Sequence, residues 1–253
     1  MKVRIIPCLL LSEGRLVKTV QFKSPRYIGD PVNTVRIFNE LEVDEMCFLD
    51  ISASQLKRPP EYDLLSQLSD ECFMPLSYGG GIHSVEMAQK LFRCGFEKLV
   101  INSAAFNNKT LVSELANRFG SQSIVISIDV VKNILGHYSI RHANGIEKKD
   151  PLQWAEEMQE AGAGEILLTS VKQEGTWKGF DIPLVKKITS GVDIPVIAHG
   201  GGGTATHIAD VVKESRVNAV ALGSMLVYQQ KDRGVLINFP KDKIENALAA
   251  HTV

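Results

Sequence analysis

No run of apolar residues in this chain is long enough to cross a bilayer, which takes about 20. Net charge is nearly absent too. Twenty-eight Lys and Arg against 29 Asp and Glu leave −1, so no global field points to nucleic acid or to an anionic membrane. Local binding of a phosphorylated small molecule is untouched by that argument. The four cysteines, Cys8, Cys47, Cys72 and Cys94, form no CxxC pair and no His/Cys ligand spacing. They read as buried thiols of a reducing cytoplasm, and neither a zinc site nor another metal or cofactor is called for. The start, Met1-Lys2-Val3-Arg4, is charged and turns straight into a strand pattern, without the look of a signal peptide. The expected location is the cytoplasm. There is no low-complexity linker and no break in composition, so residues 1–253 are expected to form a single domain.

What is present is a 44% apolar chain in which short apolar strands alternate with longer helical patterns. The strand pattern falls at Arg4–Leu10, Glu45–Asp50, Met74–Tyr78, Lys98–Asn102, Ser123–Asp129, Glu165–Thr169, Pro195–His199 and Ala219–Gly223. Helical periodicity marks Val85–Arg93, Leu111–Arg118 and Pro151–Glu160. Eight strands alternating with helices predict an α/β fold, a parallel (β/α)₈ TIM barrel. Long stretches follow the first strand (Ser12–Pro31) and the fifth (Val130–Asp150). At the C-terminal ends of barrel strands such loops carry function.

The two halves, about 1–120 and 121–253, repeat each other. "YGGGI" at Tyr78–Ile82 recurs as "HGGGG" at His199–Gly203, with Gly79 and Gly200 standing 121 residues apart. "INSA" at Ile101–Ala104 recurs as "LGSM" at Leu222–Met225, again 121 apart. "EMCFLDIS" aligns with "GEILLTSV" at a spacing of 119, which pairs Asp50 with Thr169 and also Leu10 with Asp129. Each match is short; their shared spacing carries the inference of four strands used twice.

Glycine lets backbone N–H groups approach an anion. Gly79–Gly81 with Asn102 and Ser103 would form one cradle, and Gly200–Gly203 with Gly223 and Ser224 another. One triple glycine alone would read as a tight turn. Two, each followed 22 residues on by a small polar strand end, point to two phosphates at the ends of a long ligand, or to one phosphate and a vestigial second cradle. Asp129 ends strand five with inward parity, a position for a general acid or base. Asp50 ends strand two, where anchoring a loop competes with chemistry. Lys18 in the first long loop either folds over an anionic substrate or is solvated. His199 either donates to a phosphate or is a hydrogen-bonded strand end. His83, His137, His142, His207 and His251 sit singly in polar segments and are expected to do no chemistry. Trp154 and Trp177 both read as packing residues, though Trp177 lies where it can touch a ligand.

Parity also places charge at the opposite end. Arg4, Lys98 and Glu165 share the inward parity of Leu10, Asn102 and Thr169, and Glu45 begins strand two. Barrel interiors are normally Val, Ile and Leu, and buried charge is costly unless paired. Two cations and two anions on the floor are either a salt-bridge plug or a polar gate.

Taken together, "RIIPCL", "GRLVK", "FLDISAS", "GGGIHS", "INSAA", "FGSQS", "SIDV", "EGTWKGFD", "IPVIAHGG" and "ALGS" resemble the cyclase subunit of imidazole glycerol phosphate synthase over nearly the whole chain. The resemblance implies a barrel of two half-barrels that binds a bisphosphate and pairs with a glutaminase subunit on its N-terminal face. Ammonia then enters through the barrel and reacts at the C-terminal face. It implies a gate of Arg4, Glu45, Lys98 and Glu165, a mobile-loop lysine at Lys18, and two catalytic aspartates. Its phosphate sites fall on Gly81, Asn102 and Ser103, and on Gly175, Gly201, Gly223 and Ser224. Three departures stand out. The strand-one aspartate falls on Leu10, Glu174 stands where the family has Asp, and His199 replaces a small residue. Glu13 is read as part of the loop and not as a replacement acid. A retained gate with half the catalytic pair missing, together with "IPCLLL" and "LVKTVQF", looks like the paralogue of surface-polysaccharide clusters. That paralogue works with a glutaminase-like subunit and an amidotransferase that makes an acetamidino sugar. Three readings follow: an ammonia-channelling synthase subunit acting on a phosphorylated or nucleotide sugar, a histidine-pathway cyclase tolerating Leu10, or a scaffold that activates a glutaminase and passes ammonia onward.

Overall fold

The structure, a computed structural model, describes residues 3–231 and 234–250. Met1, Lys2 and His251 lie outside them. In chain order the strands are β1 (Arg4–Ser12), β2 (Arg15–Val20), β3 (Lys23–Gly29), β4 (Met46–Asp50), β5 (Leu76–Gly79) and β6 (Lys98–Ile101). There follow β7 (Ile124–Lys132), β8 (Tyr138–His142), β9 (Gly145–Glu147), β10 (Glu165–Ser170), β11 (Val196–His199) and β12 (Ala219–Leu222). Eight of them, β1, β4, β5, β6, β7, β10, β11 and β12, pair in parallel, and ladders of β1 with β12 and of β7 with β10 close the sheet. This is the expected (β/α)₈ barrel.

Period-two alternation sorts the strand side chains into two cores. Ile5, Leu9, Phe48, Tyr78, Leu99, Ile126, Leu168 and Val220 face outward and pack beneath the helices. Ile6, Cys8, Cys47, Val100, Val125, Leu167, Ile197, Ala219 and Ala221 form a separate cluster inside the barrel. The helices turn an apolar stripe inward. In Val85–Arg93, Ala88 and Leu91 are buried while Glu86 and Arg93 face solvent. The Ser84 hydroxyl accepts from the Met87 N–H at 3.3 Å and caps the first turn. Pro151–Glu160 starts the same way: Pro151 tolerates the first helical position and Asp150 caps it. Trp154 is 1% exposed, stacked on Phe106, and is a packing residue as expected. Among the described residues no helix is long and apolar enough to cross a membrane.

The two stretches read as loops are largely strand. β1 continues into β2 through a two-residue turn at Glu13 and Gly14, both at positive φ (50° and 72°), and β2 runs back against β1 before pairing with β3. Glu13 is an exposed turn residue and not a stand-in for a strand-end acid. β7 likewise turns into antiparallel β8 and β9. Each half therefore raises a three-stranded meander over the C-terminal end of the barrel, and the meanders meet where the Arg141 guanidinium lies 5.6 Å from the Phe22 ring centroid.

Candidate active site

At the floor of the barrel the four charges close a ring. Arg4 Nη1 donates to Glu45 Oε2 at 2.6 Å and Arg4 Nη2 to Glu165 Oε1. Lys98 Nζ donates to Glu45 Oε1 at 3.1 Å and to Glu165 Oε2 at 2.9 Å. Glu45 lies just ahead of β4 and not within it. Both acids are buried, while both cations keep partial contact with solvent. Burial would lower the Arg4 pKa, but Glu165 and Glu45 outweigh it and raise it. The ring is neutral and alternates in sign, which is how charge survives in a barrel floor.

At the other end the strands and meanders enclose a cavity of about 650 Å³. Asp129 faces it from β7, three residues before the strand's end. Asn102 Nδ2 donates to Asp129 Oδ2 at 2.9 Å and the Ser127 hydroxyl to Oδ1 at 3.3 Å. Burial pushes the Asp129 carboxyl up to about 6 against the pull of its hydrogen-bond donors and of Arg141. A carboxyl titrating there exchanges protons near neutral pH, a property suited to general acid or base work. Thr169, its partner in the ladder, shares a 3.1 Å hydrogen bond with His199 Nδ1. Burial, reinforced by the Lys18 charge, lowers His199 to about 4, so its imidazole is neutral at pH 7.

The ladders correct two alignments made from sequence. Leu10 pairs with Leu49 in one half and Asp129 with Thr169 in the other. The counterpart of Thr169 is thus Leu49, and Asp50 sits one residue further, on the opposite face of its strand. The Asp50 carboxylate is taken up by its own loop: it accepts from Ser52 N (3.0 Å), Ser52 Oγ (2.9 Å), Ala53 N (3.0 Å) and Arg58 Nη2 (2.7 Å). It is a loop anchor that touches the cavity. Likewise His199 faces inward as Gly79 does, whereas Tyr78 packs outward against Phe96.

Lys18 is neither solvated nor in a loop. It lies on β2, 6% exposed, and its Nζ donates to Glu174 and to the Thr19 carbonyl. With Glu174 it borders the second glycine group, where Gly175, Gly201, Gly223 and Ser224 come together. Gly81, Asn102 and Ser103 come together on the large cavity instead. In both places the glycines are demanded by the protein's own chain. A Cβ on Gly80, at φ 138°, would stand 2.6 Å from Asp50 Cβ, and one on Gly201, at φ 108°, would meet the Gly179 carbonyl. The tight turns therefore account for the triple glycines, and it is the adjoining space that separates the two cradles. Trp177, at φ 63°, packs on Gly203 and lines neither the cavity nor the second cradle. Two further residues face the cavity: Arg141, which the sequence reading passed over and which pairs with Asp129 in the β7–β8 ladder, and His142, expected to do no chemistry and stacked on Phe106. Their signal was the alternation of "YSIRH", hidden by reading the whole stretch as loop. Among the described residues no group of three or more His, Cys, Asp or Glu is placed to hold a metal.

Comparison with known proteins agrees with this geometry. Residues 4–232 match the histidine biosynthesis protein family. A Pseudomonas aeruginosa protein named provisionally as imidazole glycerol phosphate synthase subunit hisF2 is 50% identical over 239 residues, 94% of this chain and 95% of its own. A Vibrio vulnificus protein, provisionally subunit hisF3, is 42% identical over 243 residues, 95% of this chain and 94% of its own. The imidazole glycerol phosphate synthase subunit HisF of Alkaliphilus metalliredigens is 40% identical over 229 residues, 90% of this chain and 91% of its own. The family's match over residues 4–232, and relatives of one kind that cover at least 90% of the chain, make this chain a member of the histidine biosynthesis family, of the imidazole glycerol phosphate synthase cyclase-subunit (HisF) type.

Proposed function

We propose that this protein is the ammonia-accepting synthase subunit of a glutamine-dependent amidotransferase, and that it serves the amidation of a sugar in surface-polysaccharide synthesis. A glutaminase subunit docks on the N-terminal face of the barrel and releases ammonia beneath the ring of Arg4, Glu45, Lys98 and Glu165. Above the ring the wall is formed by Cys8, Cys47, Val100, Val125, Leu167 and Ala221. Such a wall passes neutral ammonia and holds back the ammonium ion, whose desolvation is costly. Ammonia emerges beside Asp129 and meets a phosphorylated ligand held in the cavity, directly or on its way to a sugar amidotransferase.

One observation carries the reading: the ring of the proposed gate is complete and fully ion-paired, while Asp129 has no acidic counterpart at the matching strand end of the first half. Opposite Asp129, the matching positions of the first half are Leu10 and Leu49. Leucine neither accepts a proton nor stabilises a cation, and loss of a positioned acid or base lowers a rate by roughly 10²–10⁴-fold. A second reading, a histidine-pathway cyclase working with Asp129 alone, is favoured by the unqualified name of the Alkaliphilus relative. Complementation of a cyclase-deficient histidine auxotroph separates the two: growth supports the second reading and overturns the first. For the gate, Lys98→Met is expected to lower glutamine-driven turnover at least about 10-fold and to leave turnover on added ammonium salt within about 3-fold. Equal losses would remove the gate.

A further inference from the structure

The apolar surface that folding leaves uncovered is gathered at one end of this barrel. Among the described residues ten large apolar side chains are exposed, and six of them stand on the two meanders and on the short helix Ala53–Leu56 that follows β4. Val20 and Tyr27 belong to the first meander, Ile134, Leu135 and Ile146 to the second, and Leu56 to the helix. Ile134 and Leu135 form the tip of the β7–β8 hairpin, the first fully exposed and the second 78% exposed. Such a tip has nothing of its own chain to pack on, and exposed apolar surface of this kind marks a place where another molecule binds. The patch runs into the mouth. Ile146 faces solvent and also lines the cavity, and so do Ser54 and Gln55 beside Leu56.

Positive charge is gathered there as well. Each meander (residues 12–29 and 130–149) holds four Lys or Arg and one Glu, a net +3. The whole chain carries −1, which leaves −7 for the rest of it. Lys18 is held by Glu174 and Lys149 by Glu157. Arg15, Lys23, Arg26, Lys132 and Lys148 are exposed and join no ion pair among the described residues. An apolar rim set in unpaired positive charge is complementary to an acidic partner. It repels a second copy of itself, because an isologous pairing brings the two basic faces together. The shape favours a protein over a bilayer. The rim borders an opening into a cavity of about 650 Å³, which a projecting segment of a protein can enter and a flat lipid surface cannot. What the partner does is set by the proposed function, on which this inference rests. Ammonia reaches a mouth with one carboxyl, and Leu10 and Leu49 hold the matching strand ends. Ammonia that is used elsewhere must be kept from bulk water, where it is protonated and lost as a nucleophile. Its acceptor has to close over the rim.

We propose that the meander rim is the docking face of an ammonia-accepting sugar amidotransferase, which meets Tyr27, Ile134 and Leu135 with apolar side chains and the surrounding Lys and Arg with acidic ones. The test uses the full chain with its glutaminase subunit, and as probe the ammonia-using sugar amidotransferase purified from the same cells. Two variants change exposed side chains only: Leu135→Asp, and Lys23→Glu combined with Lys148→Glu. Each is expected to weaken amidotransferase binding in calorimetry at least about 10-fold and to lower glutamine-driven transfer in step, while glutaminase binding stays within about 2-fold. Raising salt from about 0.05 to about 0.5 M weakens the wild-type complex more than the charge-reversed one. Transfer from glutamine that neither variant alters overturns this inference and leaves the proposed function standing. No transfer with the wild-type chain overturns both. Sedimentation of the chain with phosphatidylglycerol vesicles, or a dimer of the chain, either of them abolished by Leu135→Asp, assigns the rim to a membrane or to a second copy and overturns the proposal.

Discussion

The two halves of the barrel present the same backbone at the mouth and opposite chemistry on it. In the first half Leu10 pairs with Leu49 on one side and with Val17 of the returning strand on the other. In the second half the same ladder positions hold Asp129, Thr169 and Arg141. Leu10 and Leu49 thus share one cavity with Asp129, Thr169 and Arg141. The difference teaches that the meander scaffold does not depend on the acid that it displays. A leucine fits the strand end as well as an aspartate does, and the mouth keeps its shape with Leu10 in one half where the other half has Asp129.

That contrast can be broken most sharply through the rate. Asp129→Asn is expected to lower ammonium-driven turnover by about 10²–10⁴-fold, whereas Leu10→Met, which conserves volume, changes it less than about 3-fold. Parallel losses would mean that both halves still share the chemistry. A smaller effect appears in stability. The folded Asp129 titrates at about 6 against 3.8 for the free side chain, so the folded state holds a proton that the unfolded chain has released. Its contribution favours folding least at high pH: the penalty is absent below pH 3.8, grows as pH rises, and is complete above about 6. The full difference corresponds to about 3 kcal/mol, and because Asp129 faces an open cavity, screening leaves about 2 kcal/mol. Asp129→Asn should therefore stabilise the protein by about 2 kcal/mol in urea unfolding at pH 8 and by clearly less at pH 5. A gain independent of pH would refute the assignment. The smallest effect concerns His199, which should remain neutral, with its ring resonances unmoved between pH 5.5 and 8. Titration near 6.5 would show the polar half to be open to water.

Period-two alternation made most of this barrel legible. Arg4, Lys98 and Glu165 were placed inward from parity alone, and Asp129 with them. The meanders were missed because "SEGRLVKTV" and "HYSIRH" mix charge with apolar residues, as exposed hairpins do. Lys18 could not be placed from sequence, since its burial depends on Glu174, 156 residues away. The Asp50 alignment failed for a more general reason: a slip of one residue in a short string match turns a strand's side chains to the other face. Only the hydrogen-bonded register could show that Leu49, and not Asp50, stands where Thr169 stands.

The ring at the floor draws Arg4, Glu45 and Lys98 from the first half and Glu165 alone from the second. Each half taken by itself is therefore charged, one by +1 and the other by −1 at this layer, and two copies of the same half would stack like charges on the barrel axis. The ring therefore favours the joining of unlike halves over the pairing of two copies of one half.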